Sequence, residues 1–177
     1  GCSGTGKTCL LKEIESAVKS RNDGRKVEYI EVYGFFRAYV NALENKAMED
    51  FRAKWESLDV LLLDGFEFLE DCHGISEEML RLVDGFINSG RQLVIATSAD
   101  LSALQDDCMA RLYNRVRSGV VAELKMPEQG LREACVRSAA KARGVSLPEK
   151  TVQEIARKKE NFWVLNGLVN SAIAEMS

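Results

Sequence analysis

Proline and histidine are nearly absent, at 2 and 1 of 177 residues. With so few prolines and no low-complexity run, nothing reads as a disordered linker. The single histidine, His73, leaves little of the commonest metal ligand, and the five cysteines at 2, 9, 72, 108 and 135 include no CxxC pair. An odd, irregularly spaced set argues against a zinc site or a disulfide framework. It predicts thiols in a reducing, cytoplasmic setting. No apolar run reaches the roughly 18–20 residues that span a bilayer, so no membrane span is expected, nor is a signal peptide. An excess of one charge is missing too: 24 Lys and Arg stand against 27 Asp and Glu, a net charge of −3. That argues against a strongly electrostatic grip on duplex DNA by the segment as a whole, while leaving room for a local basic patch.

What is present suits one compact α/β core with a small appended subdomain. Leu10, Leu11, Ile14, Ala17 and Val18 recur on one face of a helix over 8–19. Asn22-Asp23-Gly24 marks a turn, and Val27 to Val32 predicts a strand. Phe36, Tyr39, Val40 and Leu43 repeat at helical spacing, as do Met48, Phe51 and Trp55. Val60-Leu61-Leu62-Leu63, ending in Asp64, fits a strand buried on both faces of a parallel sheet. Ile75, Met79, Leu82, Val83 and Phe86 form another helical stripe. Leu93 to Ala96 and Val120 to Leu124 predict two more strands. Alternating strands and helices imply crossover connections and a parallel sheet flanked by helices. After Pro127 only helical patterns follow, from Leu131, from Val152 and from Leu165. The expected division is therefore an α/β domain over 1–127 and an all-helical subdomain over 128–177.

Gly1-Cys2-Ser3-Gly4-Thr5-Gly6-Lys7-Thr8 matches the phosphate-loop pattern G-x-x-x-x-G-K-[ST] completely. Glycines let the backbone curl its N–H groups towards a phosphate, and the helix beginning near Lys7 adds its positive dipole end. Lys7 is expected to reach the β- and γ-phosphates, and Thr8 to offer its hydroxyl to Mg²⁺. The candidate cofactor-binding set is Gly1, Ser3, Gly4, Thr5, Gly6, Lys7, Thr8 and Cys9, with a nucleotide and Mg²⁺ as cofactors. Such a loop needs a strand in front of it, so the chain reads as truncated at its amino end. Asp64, closing the strongest apolar strand, is the expected second magnesium-orienting group. Many ATPases of this type carry a further acid directly after it, to polarise the attacking water. Here that place is Gly65, with Glu67 the nearest acid downstream.

Several segments carry a resemblance. Asp59 to Leu69, DVLLLDGFEFL, is similar to the Walker B segment of the DnaA family, usually written DVLLIDDIQFL. Tyr29-Ile30, Phe36 to Asn41 and Met48 to Arg52 look like the family's region between its two Walker motifs. Arg111-Leu112-Tyr113-Asn114-Arg115-Val116 resembles its RLxSRF box. Leu147-Pro148-Glu149 and Asn161 to Gly167 resemble its LPE and NVRELEG segments. Order and spacing agree over essentially the whole chain. The resemblance implies an AAA+ phosphate-loop fold with a five-stranded parallel sheet and a three-helix lid. It also implies ATP-dependent self-assembly at a replication origin, or assembly with a related AAA+ subunit, through Arg115 as an arginine finger reaching a neighbour's γ-phosphate. DNA contact is implied through that assembly or through a carboxyl-terminal domain outside this segment.

The chain departs from the family at chosen places. Trp163 replaces the lid arginine called sensor 2, Gly65 the second Walker B acid, and Ser98 the sensor 1 aspartate. Asp71-Cys72-His73-Gly74-Ile75 replaces a stretch whose lysine and arginine bind single-stranded DNA. The candidate catalytic set is Asp64, Glu67, Ser98 and Arg115, and slow hydrolysis is expected. Two other functions stay open: a DnaA-related regulator or adaptor without a duplex-binding domain, and a helicase-loader type of ATPase.

Overall fold

A computed structural model describes residues 4–69, 72, 74–99 and 107–176. They divide into two compact units, Lys7–Ala122 in one and Gly1–Gly6 with Glu123–Ser177 in the other.

The larger unit is organised by strand β2, Val60–Asp64, all five residues of which are buried. It lies between β1, Val27–Glu31, and β3, Gln92–Ile95, and both pairings are parallel. Successive side chains of a strand point to opposite faces, and this sorts β2 between two cores. Val60 and Leu62 pack with Leu11, Ile14 and Val18 of helix α1, Lys7–Ser20. Leu61 and Leu63 pack on the other face with Val32 and Phe35 of α2, Val32–Glu44, and with Trp55 of α3, Met48–Glu56. Met79, Leu82, Val83 and Phe86 of α4, Ser76–Asn88, and Leu112 and Tyr113 of α5, Asp107–Arg117, complete that second core. A strand covered on both faces has no solvent side, and so carries an unbroken apolar run.

The smaller unit packs α6, Gln129–Lys141, α7, Glu149–Arg157, and α8, Phe162–Met176, around Val136, Ala140, Leu147, Val152, Ile155, Leu165 and Val169. Arg132 is buried here, and its Nε donates to the Ala156 carbonyl at 2.6 Å. The guanidinium also bonds the Pro127 carbonyl, so a buried cation is satisfied by backbone oxygens.

Four expectations are corrected. Residues 120–124 form no strand; Val120 and Val121 are exposed. A strand is a product of ladder pairing, and this segment meets no second strand among the described residues. The described residues accordingly carry three strands where the pattern places four within this chain, the fifth being the strand expected ahead of the phosphate loop. Val32 opens α2 instead of ending β1, because the β1 ladder stops where β2 stops, at the Glu31–Asp64 pair. On α1, Leu10 and Ala17 are exposed; the inward stripe is Leu11, buried, with Ile14 and Val18, partly buried, spaced by three and four residues, as helix geometry requires.

Candidate functional site

The alternation that sorts β2 also sets the direction of its last residue. Asp64 follows Val60 and Leu62 by even steps, so its carboxylate emerges on the α1 face, beside the first turn of α1. There the Thr8 hydroxyl donates to Asp64 Oδ2 at 2.6 Å. The Tyr29 hydroxyl, from β1, donates to the same oxygen at 3.0 Å. The Gly65 N–H donates to Oδ1 at 3.0 Å. Asp64 is only 8% exposed, and three donors compensate the burial of its charge. Burial, then the hydrogen bond and charge of Asp64, push the Tyr29 hydroxyl well above its ordinary range. It therefore stays protonated, and a donor, at any physiological pH. Lys12 lies over the Tyr29 ring, 5.4 Å from its centroid.

The hydroxyl of Thr8 and the carboxylate of Asp64 are hard oxygen donors. Among the described residues no three His, Cys, Asp or Glu side chains gather into a metal cage. Two such oxygen donors, bonded to one another, suit an ion such as Mg²⁺, which takes few protein ligands and completes its shell with water and phosphate oxygens. Of the remaining phosphate-loop residues, Gly1 and Ser3 lie outside the described residues. Gly4 and Gly6 have φ of +75° and +97°, a left-handed backbone open to glycine. Successive turns of this kind aim backbone N–H groups into a concave anion site. A Cβ on Gly4 would stand 2.6 Å from the Asn161 side chain, and one on Gly6 3.1 Å from the Phe162 ring. Thr5 is buried, Lys7 half-buried and Cys9 exposed on α1; none of Cys9, Cys72 and Cys135 is in a disulfide.

Asn161 is the amino-terminal cap of α8. Its Oδ1 accepts from the backbone N–H groups of Trp163 at 3.0 Å and Val164 at 3.1 Å, two donors that a helix start leaves without intrahelical partners. The Phe162 N–H turns to the Gly4 carbonyl at 3.0 Å. Trp163 itself is 77% exposed and takes no part in the helical core.

Glu67 and Ser98, the other two candidates near the sheet, are brought together. Glu67 sits in a 3-10 turn, Phe66–Leu69, and accepts the Ser98 N–H at 3.0 Å. Burial works against its charge, but hydrogen bonds from Ser98, its own backbone and Thr97 outweigh it and hold the carboxyl below its ordinary value. Gly65 has φ +71°, and a Cβ there would come within 3.0 Å of the Phe68 ring. Arg115 stands apart from this group, its Nε 2.9 Å from Asp84 Oδ1. Asp71 and His73 lie outside the described residues. Tyr29 is the site residue that reading for motifs passes over. Its signal was available: it falls at an odd position of a short strand, with Val27, and so shares a face.

A three-layer parallel α/β unit, a glycine-rich loop running into α1 and a strand-end carboxylate bonded to the loop's threonine define an AAA+ type of phosphate-loop protein. Comparison with known proteins narrows this. The sequence model of the bacterial DnaA ATPase domain matches residues 1–123. The chromosomal replication initiator DnaA of Rickettsia bellii is 32% identical over 98% of this chain, and that of Thermomicrobium roseum 29% identical over 98%. Domain III of the Thermotoga maritima replication initiator DnaA superposes with a TM-score of 0.85 at 28% identity, covering 94% of this chain and 70% of that one. The AMPPCP-bound DnaA of Aquifex aeolicus shares the fold, with a TM-score of 0.80 at 24% identity, over 96% of this chain and 52% of that one. The chain belongs to the family of bacterial DnaA ATPase domains. It spans 38% and 37% of the length of the two curated relatives.

Proposed function

We propose that this chain binds ATP with Mg²⁺ and acts in the initiation of DNA replication, as a divergent DnaA-type switch that turns over slowly. One observation carries the reading: the 2.6 Å bond between Thr8 of the phosphate loop and Asp64 at the end of β2. A chance glycine-rich turn has no reason to present its threonine to a buried carboxylate 56 residues away. In the proposed complex the backbone N–H groups around Gly4–Gly6 and the start of α1 receive phosphate oxygens. Lys7 carries the compensating charge, while Thr8 and Asp64 hold the ion. The ion, when bound, neutralises charge that builds up between the β- and γ-phosphates.

Slow turnover rests on Gly65 and Trp163. No carboxylate stands directly after Asp64, Glu67 is engaged with Ser98, and a tryptophan has no charge to place on a γ-phosphate. The homologous initiators extend the proposal to assembly: Arg115 of one copy would reach the nucleotide of the next. The loss of lysine and arginine over residues 71–75 favours a second reading. In it the chain is a regulator that engages a DnaA-type partner and leaves DNA contact to that partner.

The test is ATP and ADP binding, with turnover, on the protein in its natural polypeptide context. ATP binding with turnover well under one per second is the expected result. Lys7→Ala removes two or more charge-assisted bonds, roughly 3 kcal/mol, and should weaken ATP by about 100-fold. Unchanged ATP affinity in that variant would refute the loop assignment, and turnover of tens per second would refute the slow switch.

A further inference from the structure

We propose that Tyr29 is a positioning residue of the magnesium site: its hydroxyl holds the Asp64 carboxylate in the orientation that a magnesium–nucleotide complex needs. The inference rests on the reading of Thr8 and Asp64 as the ion-holding pair. It adds a third residue, from a different strand, that no phosphate-loop pattern contains.

The geometry is specific. Tyr29 stands opposite Leu62 in the β1–β2 ladder, one pleat before the Glu31–Asp64 pair. Tyr29 therefore lies diagonal to Asp64, which stands two positions beyond its own partner Leu62 on the same face of the two parallel strands, within the span of a tyrosine ring. Tyr29 packs by its ring into the core on the α1 face, and its hydroxyl reaches Asp64 Oδ2 at 3.0 Å. That oxygen already takes the Thr8 hydroxyl at 2.6 Å, while Oδ1 takes the Gly65 N–H. Thr8 lies in the first turn of α1, which on this reading faces the nucleotide, and Gly65 leads from β2 into a 3-10 turn. Tyr29 belongs to a strand hydrogen-bonded along its whole length to β2. It is thus the donor on Asp64 that is mounted on sheet framework. A site residue held by rigid elements loses less entropy when the ligand arrives.

Without the hydroxyl, Asp64 Oδ2 keeps only Thr8, and a nearly buried carboxylate must turn or admit water to recover a partner. The penalty falls where the carboxylate is used, in the magnesium-dependent part of binding. A residue that only fills the core would instead affect folding and both kinds of binding together.

The experiment is Tyr29→Phe, which keeps the ring and removes one oxygen. ATP affinity is measured by calorimetry in EDTA and across a Mg²⁺ titration, with the thermal midpoint of nucleotide-free protein followed in parallel. In the parent chain Mg²⁺ should tighten ATP. In Tyr29→Phe that tightening should shrink by roughly tenfold, the value of one hydrogen bond to a charged acceptor, and the Mg²⁺ midpoint should rise. An undiminished Mg²⁺ effect in Tyr29→Phe overturns the proposal. So does an equal loss in EDTA and in Mg²⁺, since that is the signature of a packing role. Should Tyr29→Phe unfold, Asp64→Ala serves instead: it removes the acceptor of the Tyr29 hydroxyl, so the tyrosine ultraviolet absorption should shift to the blue as a hydrogen bond to a carboxylate is lost, and an unmoved spectrum overturns the proposal. A parent chain that binds ATP with no Mg²⁺ effect, or fails to bind it, overturns the site reading and this inference with it.

Discussion

Gly65 shows how one residue closes a route that its neighbours leave open. The missing acid looks, on paper, like a single substitution. The backbone at 65 has φ +71°, however, and a Cβ would press on the Phe68 ring at 3.0 Å. A side chain in the left-handed region costs roughly 1–2 kcal/mol. Gly65→Glu should therefore lower stability by about that amount, read as the urea midpoint, without raising ATP turnover. A variant of parental stability with tenfold faster hydrolysis would contradict this account. Asn161 makes the opposite point. Its Oδ1 serves two helix donors, while its side-chain carbons occupy the space that a Gly4 Cβ would need. Capping and loop geometry thus share one side chain, a double role that composition does not reveal.

Among the elements, α3 and α4 are joined by a small charge cluster. Glu78 is 8% exposed and is bonded by Arg52 Nη2 at 2.8 Å and Arg81 Nη2 at 2.7 Å; Arg81 also reaches Glu56. Burial disfavours the Glu78 charge, but the two guanidinium groups outweigh it and hold the carboxyl below its ordinary value. A lowered folded value means that ionised Glu78 stabilises the fold above its unfolded pKa, near about 4.3. That stabilisation is lost as pH falls through the lower folded value. Glu78→Gln should consequently be less stable than the parent at pH 7, and the gap should close as the pH is lowered towards 3. Urea midpoints across that range check it; a gap constant with pH would mean that the glutamate contributes by shape alone. The aromatic cluster of Phe35, Phe51 and Trp55, with centroids 5.0–6.0 Å apart, joins α3 in turn to α2 within the core on that face of the sheet.

For the whole molecule the open variable is assembly. Arg115 is more than half exposed and paired with a partly exposed Asp84. A pair of that kind contributes about 0–1 kcal/mol to folding, so its loss is tolerable within one copy. Arg115→Ala should leave the thermal midpoint nearly unchanged while reducing ATP-dependent self-association, measured by sedimentation with ATP and with ADP. An unchanged size distribution in ATP would remove Arg115 from the proposed contact. No helix among the described residues is long and apolar enough to cross a membrane.

Much of this protein was legible in the chain itself. Local backbone demands wrote the glycine-rich loop. Burial on both faces wrote the run Val60–Leu63, and the 3.6-residue period placed α1 to α4 and α6 to α8 within a few residues of their ends. These features depend on neighbours along the chain, so a one-dimensional reading reaches them. Residues 120–124 failed that reading because a strand exists only through its partner. Leu10 failed it because an apolar residue one step off the stripe is indistinguishable from one on it until the sheet is in place. Three relations belonged to the tertiary structure alone: the meeting of Thr8, Tyr29 and Asp64, the capture of Glu67 by Ser98, and the pairing of Arg115 with Asp84. Each joins residues 21 or more positions apart in the sequence, and each depends on strand register and on which face of an element a side chain leaves. Those quantities are set when helices and strands pack against one another, not by the residues that flank each partner.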